Sequence, residues 1–304
     1  MLYPDFNDLV ACKDFKSGLI HPSSRSVRST VSGNHRSSFR GQGLEFDAVR
    51  EYVPGDDIRN IDWRVTARTG SPHLKIFKEE RERHIVICVD MNATMRFGTR
   101  KTFKSVQAAH IAALLGWSGI SQQDRISICL FGDVPGGIQF LPPKRTKKSI
   151  CEMLKALSTP PVEQHSVSLE KAVAHVAKVA HTGSLVYLIS DFMEVDKSFQ
   201  YEGSMSRLSK KCDVVFVGVN DPSDKSISAI GSVGFCVDES SKFYVNTESP
   251  EGRAAYMAKW DEHQNTLKEI TSKLKISMIE MTTESDVSRD LILGLKKIAK
   301  RKKR

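Results

Sequence analysis

Five short apolar runs constrain this chain more tightly than any other feature. They are "IVICVD" (85–90), "RISICLFG" (125–132), "SLVYLIS" (184–190), "DVVFVGV" (213–219) and "ISMIEM" (276–281). Each is short, rich in β-branched residues and apolar at odd and even positions alike, which predicts a strand buried on both faces. Between them lie segments of helical period: "TFKSVQAAHIAALLGWSGI" (102–120), "KKSICEMLKALS" (147–158), "SLEKAVAHVAKVAH" (168–181) and residues 249–275. The last opens on Ser249 as N-cap with Pro250 at the first helical position, a strong start signal. Strands alternating with helices predict an α/β fold: a doubly wound, mostly parallel sheet with helices on both faces. Residues 230–246, "IGSVGFCVDESSKFYVN", read instead as a hairpin turning at "DESS" and forming an antiparallel edge.

With 304 residues, 40% of them hydrophobic, the chain can bury a substantial core. The formal net charge of +9 resembles a nucleic-acid or membrane footprint until it is located. Lys296, Lys297, Lys300, Arg301, Lys302, Lys303 and Arg304 supply seven of those charges, so the body is nearly neutral. The basic stretch 296–304 reads as a solvated helix end, and no nucleic-acid partner is expected. A functional tail would bind anionic lipid or RNA and lose that binding on truncation after Leu295. The six cysteines are scattered without a C-x-x-C pair, and Cys88 and Cys129 lie inside apolar runs, as suits buried, reduced thiols. No apolar stretch approaches the ~20 residues of a membrane span, and the first residues lack a basic region followed by an apolar core. The expected address is cytoplasmic.

Residues 1–83 read as a separate N-terminal segment ahead of a domain at 84–304. Residues 1–40 are expected to be partly loop or disordered, because "HPSSRSVRSTVSGNHRSSFRGQG" (21–43) is rich in Ser, Arg and Gly. Further on, Pro54 and Gly55 suit the central positions of a type II turn, with Asp56 or Asp57 placed to cap a short helical turn. Arg50, Asp56, Asp57, Arg59, Asp62, Arg64 and Arg68 are expected to form an ion-pair network fixing this segment to the domain, or to meet a partner. They contain no base–nucleophile pairing, so catalysis is not expected of them. Trp63 is expected in the core, and "EERER" (79–83) on an exposed strand or linker face.

In a doubly wound sheet, ligands sit beyond the carboxyl ends of the strands. The stretch "VDMNATMRFG" sets Asp90, Asn92 and Thr94 in alternation at one such end, and Ser190 with Asp191 fall at another. Two carboxylates can thus converge on one crevice, although a lone strand-end Asp is as readily a helix or turn cap. Three chemistries compete. "GTRKTFKS" (98–105) matches a P-loop except that Phe103 replaces the second glycine, so backbone N–H groups cannot close on phosphates and no nucleotide is expected. "DMNAT" also resembles the D-x-D-x-[TV] of haloacid dehalogenase-like phosphatases, with Asp90 as nucleophile, but Asn92 cannot act as the acid. Finally it resembles the D-x-S-x-S of the metal-ion-dependent adhesion site in von Willebrand factor A-like domains. There Asn92 and Thr94 would be neutral oxygen ligands to Mg²⁺, and Asp191 would match the third loop. The second loop fits less well: "HSVSLEKAV" (165–173) puts Val167 at the threonine position, with Ser166 and Ser168 beside it.

Residues 41–117 carry "GQGLEF", "EYVPGDDIRNIDW", "ARTG" and "EERER" in order, leading into the first strand. These words closely resemble the signature of the bacterial Domain of Unknown Function 58 family. The resemblance implies a von Willebrand factor A-like, Rossmann-like domain at 84–304 behind a family-specific, β-rich segment. It also implies a non-enzymatic, protein-binding adaptor that works with a MoxR-type AAA+ ATPase, chaperone-like, in assembling or activating other proteins. In such a site a Mg²⁺ held by Asp90, Asn92, Thr94 and Asp191 would be completed by a carboxylate from the partner. Elsewhere, His165, His175 and His181 lie ten and six residues apart, which gives no shared helical face for two metal ligands.

Overall fold

The computed structural model describes residues 3–15, 19, 21–22, 44–79, 83–161, 165–195, 203–236 and 242–302. In chain order the elements are α1 (Phe6–Ala11), β1 (Leu44–Glu51), α2 (Trp63–Thr69), β2 (His73–Glu79), β3 (His84–Met91), α3 (Lys104–Ser121), β4 (Arg125–Gly132), β5 (Ile138–Lys144), α4 (Lys147–Ser158) and α5 (Leu169–Val179). They continue with β6 (Leu185–Ser190), α6 (Ser204–Lys211), β7 (Asp213–Asn220), α7 (Pro222–Lys225), β8 (Ser232–Cys236), β9 (Lys242–Asn246), α8 (Pro250–Lys273), β10 (Ser277–Thr282) and α9 (Val287–Lys302). The chain divides into two compact units, Met1–Ser26 with Arg83–Arg304, and Val27–Glu82.

The larger unit is built on a six-stranded sheet of order β10-β7-β6-β3-β4-β5, parallel throughout except for the β4–β5 pair. From β3 the chain winds outward through β4 and β5. It then returns to the other side of β3 with β6 and winds outward through β7 and β10. Strand order therefore reverses between β3 and β6, the switch point at whose carboxyl ends open α/β sheets place their crevice. The apolar runs supply both faces: Ile85, Ile87 and Val89 meet α1, α3, α4 and α9, while Val86 and Cys88 meet α5, α6 and α8. An α/β sheet covered on both sides follows from strands apolar at every position.

Three expectations are corrected. The antiparallel edge is β5, whose Pro142 and Pro143 argue against a strand but are tolerated at an edge, where an N–H is not needed on the open side. The hairpin read at 230–246 forms, but β8 and β9 make a two-stranded sheet of their own; its turn at "DESS" lies outside the described residues. The domain does not begin at residue 84: α1 and the following turn pack on α3, burying Leu9, Cys12 and Leu19, and the Trp117 indole N–H donates to the Leu9 carbonyl at 3.1 Å. The loop expected over 21–43 and the exposed face expected at 79–83 fall mostly outside the described residues.

In the smaller unit β1 and β2 pair antiparallel. Asp56 N–H donates to the Val53 carbonyl at 3.1 Å and Gly55 has φ +109°, as a turn centred on Pro54 and Gly55 requires. Arg50 pairs with Asp56 at 2.7 Å. The other carboxylates are caps: Asp57 accepts from Arg59 N–H at 3.0 Å, and Asp62 from Arg64 and Val65 N–H at 3.0 and 3.2 Å. Arg59, Arg64 and Arg68 are exposed. Trp63, expected in the core, is 70% exposed, because it opens a seven-residue helix too short to bury a face of its own.

Candidate functional site

Asp90 stands near the end of β3, 5% exposed, at the reversal point of the sheet. Its Oδ1 accepts from the Asn92 backbone and side-chain N–H groups at 2.9 and 2.8 Å, and its Oδ2 accepts from Ser190 Oγ at 2.6 Å. Burial, then the charge of Asp191, pushes its carboxyl up to about 7 against the pull of those hydrogen bonds.

Asn92 behaves as a detached peptide group. Its Nδ2 donates to the Val167 carbonyl at 3.0 Å, and its Oδ1 accepts from the Val167 N–H at 3.2 Å. The amide thereby ties the loop after β3 to the loop before α5, a use for an amide where the D-x-S-x-S pattern has a serine. Thr94 lies exposed on the short helical turn Ala93–Met95. Ser168 is the N-cap of α5, accepting from Lys171 N–H at 3.4 Å, and Ser166 is exposed.

Asp191 follows β6. Its Oδ1 accepts from Met193 N–H at 3.2 Å and its Oδ2 lies 3.3 Å from Lys104 Nζ. The same ammonium is 2.7 Å from Asp224 Oδ2 on α7. Beside them, Asp221 accepts from Thr99 N–H at 2.9 Å, Thr283 Oγ1 at 2.7 Å and Ser223 Oγ at 2.6 Å. Burial raises its carboxyl, but the hydrogen bonds from Ser223 and Thr99 outweigh that and hold it well below the usual carboxylate range. Further stitches close the rim: Asp133 accepts from His165 N–H at 2.7 Å and pairs with Arg96, and Glu194 accepts from Leu169 N–H at 2.9 Å.

The Mg²⁺ implied by the family resemblance does not fit these side chains. Asp191 faces the Lys104 ammonium at 3.3 Å, Asn92 is turned to both backbone groups of Val167, and Thr94 is exposed on the helical turn. Among the described residues no group of three or more His, Cys, Asp or Glu side chains is arranged to hold a metal ion. His165, His175 and His181 do not converge on one another: His175 packs on Phe140 and His181 on His84.

Sequence reasoning brought Asp90, Asn92, Ser190 and Asp191 to one place and missed Lys104, Asp221 and Asp224. A signal for each was present. Lys104 occupies the lysine position of the P-loop-like "GTRKTFKS", and "NDPSD" is a capping box in which Asp221 and Asp224 hold each other across the first turn of α7.

The family described as "Protein of unknown function DUF58" matches residues 48–266. Similar chains include "Uncharacterized protein Rv1480" of Mycobacterium tuberculosis and "Uncharacterized protein Mb1516" of Mycobacterium bovis, each 28% identical over 212 residues, or 69% of this chain and 65% of theirs. The chain thus spans a little under two thirds of the length of those relatives. Among solved structures, it is similar to the conserved hypothetical protein BatB from Bacteroides thetaiotaomicron, with TM-score 0.44, 15% identity, and coverage of 72% of this chain and 99% of that one. An aerotolerance-related membrane protein from Bacteroides fragilis gives TM-score 0.45 and 14% identity, covering 71% and 99%. Among the described residues no helix is long and apolar enough to cross a membrane.

Proposed function

Since the chain belongs to the DUF58 family, we propose that it is a non-enzymatic, protein-binding adaptor whose partner is a MoxR-type AAA+ ATPase or that ATPase's client. The domain is read as von Willebrand factor A-like, with the partner docking across the carboxyl-end crevice. One observation carries the reading: the polar groups of the crevice are bonded to one another, while its rim presents apolar side chains. Phe97 and Met193 are 37% and 46% exposed. Both flank one ion pair, since the Phe97 ring centroid lies 5.5 Å from Lys104 Nζ and Met193 N–H binds the paired Asp191. Exposed apolar groups around a rigid polar centre suit contact binding, in which the centre fixes the loops and the rim supplies buried area.

The phosphatase alternative is disfavoured by the same geometry. A nucleophilic carboxylate must reach its substrate, whereas Asp90 is only 5% exposed and is held at both oxygens by Asn92 and Ser190. The deciding experiment is a pull-down of the full chain against a MoxR-type ATPase of the same genome. Binding is expected to persist in chelator and to fall at least about tenfold in Phe97→Asp/Met193→Asp, as for a rim anchor. Binding indifferent to both substitutions removes the crevice rim from the function. Aryl-phosphate turnover abolished by Asp90→Asn would replace the adaptor with the enzyme.

A further inference from the structure

Lys104 is in the wrong place for an ordinary lysine. It is the first residue of α3, an 18-residue helix, and so sits at the positive end of the helix dipole. It is also only 2% exposed. A buried ammonium loses its hydration, and one at a helix N-terminus is opposed by the backbone as well. Such a group persists only where anions compensate it. Here Asp191 at the end of β6 and Asp224 on α7 approach to 3.3 and 2.7 Å, and the Phe97 ring covers another side. Asp224 Oδ2 also accepts from Asp221 N–H at 2.7 Å, which orients it toward the ammonium.

We infer that Lys104 is the resident cation of the crevice. Its ammonium occupies the place between Asp191 and Asp224 that a divalent ion would need, so the site is metal-independent, and removing the lysine turns these two carboxylates into a divalent-cation site. The ammonium charge decides both cases. With Lys104 present, a metal at Asp191 would sit against a desolvated positive charge that cannot move to water. Without it, Asp191 and Asp224 are left as two anions facing the vacated ammonium position, where an oxygen-seeking cation completed by a hydroxyl and water would satisfy them. The lysine is thus a fixed, non-exchangeable counterion that holds the loops after β6 and β7 to the start of α3.

Titration of the full chain with Mn²⁺, followed by electron paramagnetic resonance of the free ion and by thermal denaturation, tests this without any partner, so its outcome is separate from that of the pull-down. The wild type is expected to bind no Mn²⁺ up to about 1 mM and to melt identically with and without chelator. Lys104→Ser, which removes the charge and offers a hydroxyl, is expected to bind one Mn²⁺ at least about tenfold more tightly than the wild type and to melt higher in its presence. Adding Asp191→Asn to that variant abolishes both effects. Lys104→Arg keeps the charge and binds none. A folded Lys104→Ser that takes up no Mn²⁺ overturns the inference. If that variant does not fold, the wild type decides: one Mn²⁺ bound within the same range and released by Asp191→Asn overturns it, and none bound supports it.

Discussion

Asp90 is an acid that burial keeps close to neutral, and this gives the site a pH signature. Its carboxyl is raised to about 7 in the folded chain, against about 3.9 when unfolded. Between those values the native state retains a proton that the unfolded state has lost, so Asp90's contribution to stability falls as pH rises from about 4 to about 7 and is flat beyond. Asparagine keeps an oxygen to accept from Asn92 and reverses the other bond, its amide donating to Ser190 Oγ, which also accepts from Phe192 N–H at 3.0 Å. Asp90→Asn is therefore expected to gain about 2–4 kcal/mol over wild type at pH 8 and little near pH 4, measured by urea denaturation across that range. A gap independent of pH would mean that Asp90 does not titrate there. The reach of sequence reading shows in these side chains. Asp90 and Asp191 were legible because strand-end position follows from local pattern. The pairing of Lys104 was not, because its ion pairs join residues 87 and 120 positions apart.

Elements meet beside Asp90 through a close approach that only glycine permits. Gly132 ends β4 with φ +108°, and a Cβ there would stand 2.5 Å from Asn92 N and 2.8 Å from Asn92 Oδ1. Gly136, four residues on, has φ +70° but open space around it. Both Ala variants incur the left-handed backbone cost of about 1–2 kcal/mol, and Gly132→Ala must in addition displace the Asn92 loop. Gly132→Ala is expected to lose about 2–4 kcal/mol and Gly136→Ala about 1, by denaturant midpoints at constant slope. Equal losses would show that the β4 end does not brace the Asn92 loop. At this scale most of the architecture was readable, since β3, β4, β6, β7, β10 and the longer helices follow from their periodicity. The strand β5 was not, because its two prolines conflict with the pattern and only an edge position reconciles them. Helix α9 was hidden in the opposite way, its lysines drawing attention from the apolar stripe beneath.

That stripe matters for the molecule as a whole. Leu291, Leu295 and Ile298 of α9 are all buried in the same core as α3 and β10, so residues 296–302 are not a detachable basic tail. Truncation after Leu295 is expected to cost at least about 1.5–3 kcal/mol through loss of Ile298 alone, whereas Lys296→Gln/Lys297→Gln/Lys300→Gln, at exposed positions, changes stability by about 0.5 kcal/mol or less. Thermal melts of the two variants compare packing with charge directly. The α/β class, the mostly parallel sheet and the meeting of Asp90 and Asp191 at the ends of β3 and β6 were determined by sequence, because burial on two faces writes itself into every position of a strand. The pairing of Lys104 with Asp191 and Asp224, the amide clamp of Asn92 on Val167, and the packing of α1 and α9 onto α3 were decided only by tertiary structure. Each depends on which distant groups share a volume too small and dry to hold an unpaired charge or an unmet hydrogen bond, and no local pattern encodes that.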